Sequence, residues 1–285
     1  MTLTTNTLKK INNHPRDENI QFQEEGHKYT ILSDPSSTYT SVTTFIHSHF
    51  PPFDTDKIIN KMMSGKSWKE GHKYWNKTKE EIKLQWSTNA TNVSQLGTSL
   101  HYNIECFMNN FKLSPNYRHI ELLNDYYKNH SETIPTKEWN YFIQFITDFP
   151  HLKPFRTEWT IYHEDLKLAG SIDMVYENDD NTLSIYDWKR VKNITPVNSF
   201  DQYAITKIIC HIPDSNFWHY ALQLNIYKAI LEEKYNKKVT ELYLVRLHPD
   251  TQENTYEIIH VPFLTIEVND LFQERKRKIN FIKNA

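Results

Sequence analysis

Three short apolar runs, the last two joined by a polar turn, constrain this chain more than any other feature. Residues 155–163, 168–176 and 183–189 are rich in β-branched and aromatic side chains, which favour strands. Glu177-Asn178-Asp179-Asp180-Asn181 links the second run to the third as a turn. In an antiparallel hairpin, opposed residues share a constant index sum. A turn centred on Asp180 sets that sum at 360 and opposes Asp173 to Asp187, with Cβ atoms about 5 Å apart. Both lie in otherwise apolar strands, and like charges facing each other across a ladder are destabilising.

A divalent cation relieves such a pair, since two carboxylates plus waters are the usual ligand set for magnesium. Lys189 follows Asp187 by two residues and projects from the same face. Its positive charge can orient or activate a water, or stabilise charge on a phosphate. Metal, lysine and water together form a hydrolytic site for phosphodiesters. The alternative is an exposed hairpin edge on which Asp187 and Lys189 are solvated charges. Glu158, near the start of the first run, is a further carboxylate for the site or an ordinary strand-end charge.

Composition narrows the classes. The chain has 285 residues and five glycines, where average usage gives roughly 20. Walker A and G-x-G-x-x-G loops are absent, so no nucleotide cofactor is expected. Two cysteines, Cys106 and Cys210, cannot build a four-cysteine zinc or iron–sulfur site and fit a reducing, intracellular setting. The net charge of −2 predicts no global attraction to nucleic acid. No apolar run is long enough to span a membrane.

The spacing predicts helices over 54–63 (capped by Asp54), 77–86, 92–110, from Pro135 to 149, and 217–235. Strands follow at 241–247 and 256–261, then a basic C-terminal helix. The order helix, three strands, helix, strand implies an α/β fold with a mixed sheet and a helical N-terminal part. Residues 1–19 are read as a disordered tail. Residues 20–91 are read as a strand and helical part packed on the core, and 92–285 as the core itself.

Several residues outside the hairpin carry chemistry. Gly97, His101 and Glu105 share one face of the 92–110 helix. A glycine within a helix costs about 1 kcal/mol against alanine, so its place on that face implies close approach to a neighbour. His101 is a candidate ligand, since imidazole suits manganese as well as zinc; the alternative is a surface His–Glu pair. Gln223 and Tyr227 flank the apolar stripe of the 217–235 helix by roughly a third of a turn. They face a phosphate or base in a cleft, or form a half-buried polar margin. Gly170, ahead of Asp173, marks a place where backbone or DNA passes close. Arg190 and Lys192 leave the hairpin directly and are candidate phosphate contacts. The run Glu274-Arg275-Lys276-Arg277-Lys278 is another, or a solvated helix face.

Taken in order, these pieces resemble the PD-(D/E)XK nuclease superfamily in its RecB-type branch. G-T-S-L-H-Y-N-I-E at 97–105 resembles that branch's histidine motif. Glu158, A-G-S-I-D ending at Asp173 and D-W-K at 187–189 resemble its catalytic hairpin. Q-L-N-I-Y at 223–227 is similar to its Q-x-x-x-Y helix. Upstream, G-H-K-Y at 26–29 and S-V-T-T at 41–44 resemble the mitochondrial genome maintenance exonucleases and related phage and large-virus exonucleases. The likeness spans roughly residues 26–248. It implies a restriction-endonuclease-like core and a magnesium- or manganese-dependent DNA nuclease. Asp173, Asp187, the Trp188 carbonyl and His101 would be ligands, Lys189 would act on the water, and Gln223 and Tyr227 would line the DNA path. The iron–sulfur clamp of several RecB-type nucleases cannot form here. That points to a small, stand-alone exonuclease, a monomer acting on single-stranded DNA ends, with replication or repair proteins as partners. Mitochondrial, viral and bacterial settings all fit.

Three other functions fit parts of the same pattern: a structure-specific endonuclease of the same superfamily, a non-catalytic DNA-end or single-strand binder, and an iron oxygenase. The last would use His163 and Asp165 with His211 or His219. His163 and Asp165 fall at a turn between strands, where exposed polar residues are ordinary.

Overall fold

The computed structural model describes residues 6–109, 118–129, 136–198 and 200–284. Its helices in chain order are α1 (Thr7–Ile11), α2 (Val42–His47), α3 (Thr55–Met63), α4 (Lys79–Asn109), α5 (His119–Asn129), α6 (Lys137–Asp148), α7 (Asn216–Lys234) and α8 (Thr265–Asn284). The strands are β1 (Ile20–Gln23), β2 (Lys28–Ile31), β3 (Thr40–Ser41), β4 (Lys153–His163), β5 (Leu168–Glu177), β6 (Leu183–Lys189), β7 (Val239–Arg246) and β8 (Glu257–His260). The fold is α/β with a mixed sheet, as the pattern of runs implied. None of the described helices is long and apolar enough to cross a membrane.

β5 organises the main sheet. One edge pairs with β4 along its whole length. The other edge is shared: β6 takes 174–177, antiparallel, and β3 takes Leu168 and Ala169, parallel. Among the described residues, positions 170–173 of that second edge have no ladder partner. β7 lies parallel to β6, and β8 closes the far edge antiparallel to β7.

Helices cover both faces. On one side α2, α7 and α8 pack on Trp159, Ile161, Ile172, Val175 and Ile185. On the other, α4, α5 and α6 pack on Met174, Tyr176, Tyr186 and Trp188. Among the described residues, eight of the eighteen buried side chains of that second core are aromatic, which is how a chain of modest apolar content fills its interior. α6 is capped by the Thr136 hydroxyl, which accepts from the Trp139 amide. Pro135 lies outside the described residues.

Two expectations are corrected. Positions 6–19 are a folded part of the core rather than a tail. Asp17 is buried, its carboxylate 2.6 Å from Arg156 Nη1 and accepting from Trp159 Nε1 at 2.9 Å. Leu8 fills the α4 side, and its amide donates to Asn109 Oδ1. Burying an ion pair is tolerable only when further hydrogen bonds satisfy it, and His14 N adds one to Asp17. The polar composition hid these partners because they lie far away in sequence. Second, the helices expected at 77–86 and 92–110 are one helix, α4. It opens with a reciprocal cap: Thr78 Oγ1 accepts from Glu81 N, and Glu81 Oε2 accepts from Thr78 N. With nucleation done and no proline between, extending a helix costs less than starting a second one. α4 therefore runs unbroken through 91–92, where a boundary was expected. Upstream, Thr40 and Ser41 form the short strand β3. Ser41 Oγ then accepts from Thr44 N and turns the chain into α2.

Two buried histidines make the fold acid-sensitive. Burial pushes His119 down to about 3 and His49 down to about 4. His119 Nε2 lies 2.9 Å from the Tyr176 hydroxyl. Each folded pKa is depressed below the unfolded value of about 6.5. The unfolded chain therefore gains protons first as pH falls, and stability is lost from about pH 6.5 downward. Between pH 7 and 5, His119 alone should remove about 2 kcal/mol. Urea unfolding of wild type and His119→Gln across that interval checks this: the wild type's advantage should shrink as pH falls.

Candidate functional site

The charged residues of the hairpin gather where β5 is left open. The observed β5–β6 register keeps the index sum at 360 through the last pair, Met174 and Tyr186. Asp173 and Asp187 are the next step, and there the ladder stops. Instead of a backbone pairing, Asp173 Oδ2 accepts from the Trp188 amide at 3.0 Å. On the other side, Thr157 pairs with Met174 and Trp159 with Ile172, which brackets Glu158 opposite Asp173. Asp173 is thus flanked by a carboxylate on each neighbouring strand.

A shared irregularity makes this arrangement. Glu158 has φ +41°, a left-handed conformation uncommon in non-glycine residues. In a regular strand residues two apart share a face. Here Ile172 belongs to the α7-side core and Met174 to the α4-side core. β4 switches at the matching point: Thr157 Oγ1 accepts from Asn109 of α4, whereas Trp159 packs on the α7 side. Glu158 and Asp173 occupy the switch.

α4 supplies the histidine. His101 Nε2 is 3.0 Å from the Trp188 carbonyl, and its Nδ1 is 3.7 Å from Glu158 Oε1 and 3.6 Å from Asp173 Oδ2. Ligand atoms of His101, Glu158 and Asp173 lie within 4.8 Å of one another. With Nε2–H donated to a backbone carbonyl, Nδ1 is left for the carboxylate side, the orientation that a metal-ligating imidazole usually has. One nitrogen and several carboxylate oxygens suit manganese or magnesium. Ser171, which motif reading missed, steadies Glu158 by donating from Oγ to Oε2 at 3.0 Å.

Asp187 does not join those three atoms as expected. It is buried, with its Oδ2 2.6 Å from Lys189 Nζ. The Lys189 ammonium lies 4.5 Å from the centroid of the Tyr220 ring, a second contact that no motif signalled. The Trp188 carbonyl, expected as a ligand, is the partner of His101 Nε2. Glu158 stands where Asp187 was expected.

The electrostatics are those of crowded carboxylates. Burial pushes Asp187 up to about 6, with Lys189 opposing and Asp173 adding to the rise. Burial also raises Asp173, while His101 opposes and Glu158 adds. For His101, burial disfavours the charge, but Asp173 and Glu158 outweigh it and hold the imidazole up to about 9. For Lys189, burial is likewise outweighed by Asp187 and Asp173, and the ammonium is held above its ordinary value. Burial and the charge of Glu158 push Glu105, half-buried one turn after His101, up to about 7.

The two motif glycines differ. A Cβ on Gly170 would lie 2.6 Å from Tyr227 Cε1 and 2.9 Å from its hydroxyl, so the close approach expected there is made by the Tyr227 ring. Gly97 has nothing within 4 Å of where a Cβ would be. The expected tight packing at Gly97 is therefore corrected: the helix is open to solvent there. Tyr227 is buried, which places it beneath the site, where its hydroxyl accepts from Gln223 Nε2 at 3.1 Å. Gln223 is the half-buried member of the pair. Arg190 is corrected as a phosphate contact, because its side chain is committed to Glu138, Nε to Oε1 at 2.7 Å. Lys192 is exposed. In the C-terminal run, Arg275 turns inward to the Lys167 carbonyl and Thr40 Oγ1. His163 and Asp165 are taken up by Glu233 and Lys234 of α7, which leaves no support for an iron site.

Gly170→Ala tests the Tyr227 contact. The added methyl should cost about 1–3 kcal/mol in urea unfolding, and Gly170→Ala combined with Tyr227→Leu should recover part of the loss. An unchanged midpoint for the single variant would contradict the packing described.

Set against known proteins, the chain matches no family model and no curated protein.

Proposed function

We propose that this chain is a magnesium- or manganese-dependent deoxyribonuclease with a restriction-endonuclease-like core of the PD-(D/E)XK type, acting as an exonuclease on single-stranded DNA ends. One observation carries the reading: His101, Glu158 and Asp173 converge beside the Asp187–Lys189 pair at the unpaired stretch of β5. A structural salt-bridge network has no need of three carboxylates on adjacent strands, because their repulsion is costly unless a cation offsets it.

Magnesium or manganese, when bound, supplies Lewis-acid stabilisation of phosphate charge and a more acidic water. His101, Glu158 and Asp173 are the residues that would hold it. Ser171 fixes Glu158, and the Trp188 carbonyl fixes the imidazole. Lys189 is steadied between Asp187 and the Tyr220 ring. It carries a fixed positive charge beside the cluster, suited to orienting a water or to the charge that builds on a phosphate. Gln223, held by Tyr227, is available to the substrate at the same edge.

Asp187→Ala and Lys189→Ala should each lower cleavage of single-stranded DNA by at least about 100-fold with magnesium present, with far-UV circular dichroism unchanged. Full activity in either folded variant would sink the assignment. Linear strands should be degraded and closed circular strands spared. Cleavage of circles would replace the exonuclease by a structure-specific endonuclease.

A further inference from the structure

The region joining α3 to α4 has no part in the site described above. From Lys66 to Trp86, the joining segment and the first turns of α4 hold six lysines against three acids, Glu70, Glu80 and Glu81, in a chain whose net charge is −2. Lys66, Lys69 and Lys73 are exposed. The same region concentrates rings. Trp68 lies 5.0 Å from His72 and 6.0 Å from Trp75, and Tyr74 lies 6.0 Å from Trp86 of α4. Trp86 Nε1 donates to the Tyr74 hydroxyl at 2.9 Å, and the Lys73 and Lys77 ammonium groups approach the Tyr74 ring. Trp75 is 37% exposed, so part of a tryptophan is presented among exposed lysines. Lys79 and Lys83 pair with Asp56 and tie the lobe to α3.

α4 carries this lobe to the site. Fifteen residues separate Trp86 from His101, about 22 Å of helix. At 100° per residue Lys83 returns to the azimuth of His101, and Trp86 falls within about 60° of it. Between Lys83 and His101 no residue is charged, and Gly97 leaves open space.

We infer that the lysine and tryptophan lobe at 66–86, anchored at Trp86 about 22 Å of helix from His101, is a second grip on single-stranded DNA that also reaches the metal cluster. The inference rests on the nuclease reading for the identity of the polymer. Lysines match the phosphates, and rings stack bases without reading sequence. At about 3.4 Å per stacked nucleotide the two points are about six nucleotides apart. Strands shorter than that reach only one of them.

The test is fluorescence anisotropy with labelled oligothymidylates of about 4 to about 20 nucleotides, bracketing the site sizes of single-strand binders. The full chain is used with calcium in place of magnesium, so the cluster carries a cation while binding is read without cleavage. Affinity should climb once length passes about six nucleotides. The triple variant Lys66→Ala, Lys69→Ala, Lys73→Ala should bind the longest strand about tenfold or more weaker, with the salt slope reduced by about 2. Trp75→Ala should weaken it about tenfold, and arginine at the three lysine positions should restore binding. An alanine triple variant that is folded by circular dichroism and keeps wild-type affinity and salt slope overturns the inference. So does a wild type that fails to bind the longest strand. Absence of magnesium-dependent cleavage by the wild type would instead sink the nuclease reading, leaving the binding comparison intact.

Discussion

The structure turns on the repulsion among three carboxylates on adjacent strands. Asp173 is bracketed by Glu158 on one side and approached by Asp187 on the other. A regular sheet would stack these charges in one row, with nothing to separate them but ladder spacing. Instead β5 and β6 stop pairing one step before the aspartates. Asp173 takes a backbone amide, Asp187 takes Lys189, and His101 comes in from α4 against Glu158 and Asp173. Each of these is a local answer to a charge that the hydrophobic sheet cannot solvate.

From that constraint the surrounding elements gain a purpose. Tyr227 fills the space over Gly170, so α7 can sit close beneath the open edge while the edge stays open. α2 follows immediately on β3, which pairs with only two residues of β5 and so leaves 170–173 unpaired. The left-handed residue at Glu158 turns β4 so that its carboxylate meets Asp173 while Trp159 still packs in the α7-side core. Backbone conformations of this kind are costly, and they persist where the surrounding packing determines them.

Much of this was legible in the sequence because it is local or periodic. The hairpin register followed from the turn centre, and the sum of 360 holds through every observed β5–β6 pair. Asp54 as a helix cap was likewise legible, since its carboxylate accepts from the Lys57 amide three residues on. What was not legible depends on distant partners. Asp17 gave no sign of its buried contact with Arg156, 139 residues away. Arg190 follows directly on the Asp187-Trp188-Lys189 motif, yet it is committed to Glu138 by a tertiary contact that no spacing encodes. Gly97 and Gly170 looked alike as motif glycines. Only the packing distinguishes a position pressed by a tyrosine ring from one that faces open space. The cross-strand place of Glu158 obeys the same arithmetic as the hairpin, because the sum of 331 set by His163 and Leu168 holds through Arg156 and Val175 and opposes Glu158 to Asp173; what no residue type signals is the left-handed backbone at Glu158.

The central claim is that His101, Glu158 and Asp173 together form a divalent-cation site, and titration calorimetry with manganese tests it most directly. The wild type should bind manganese with saturable heat, and Asp173→Asn, which keeps the side-chain shape but removes the charge, should lose that binding while retaining its unfolding midpoint. Equal manganese affinity in wild type and Asp173→Asn would contradict the account.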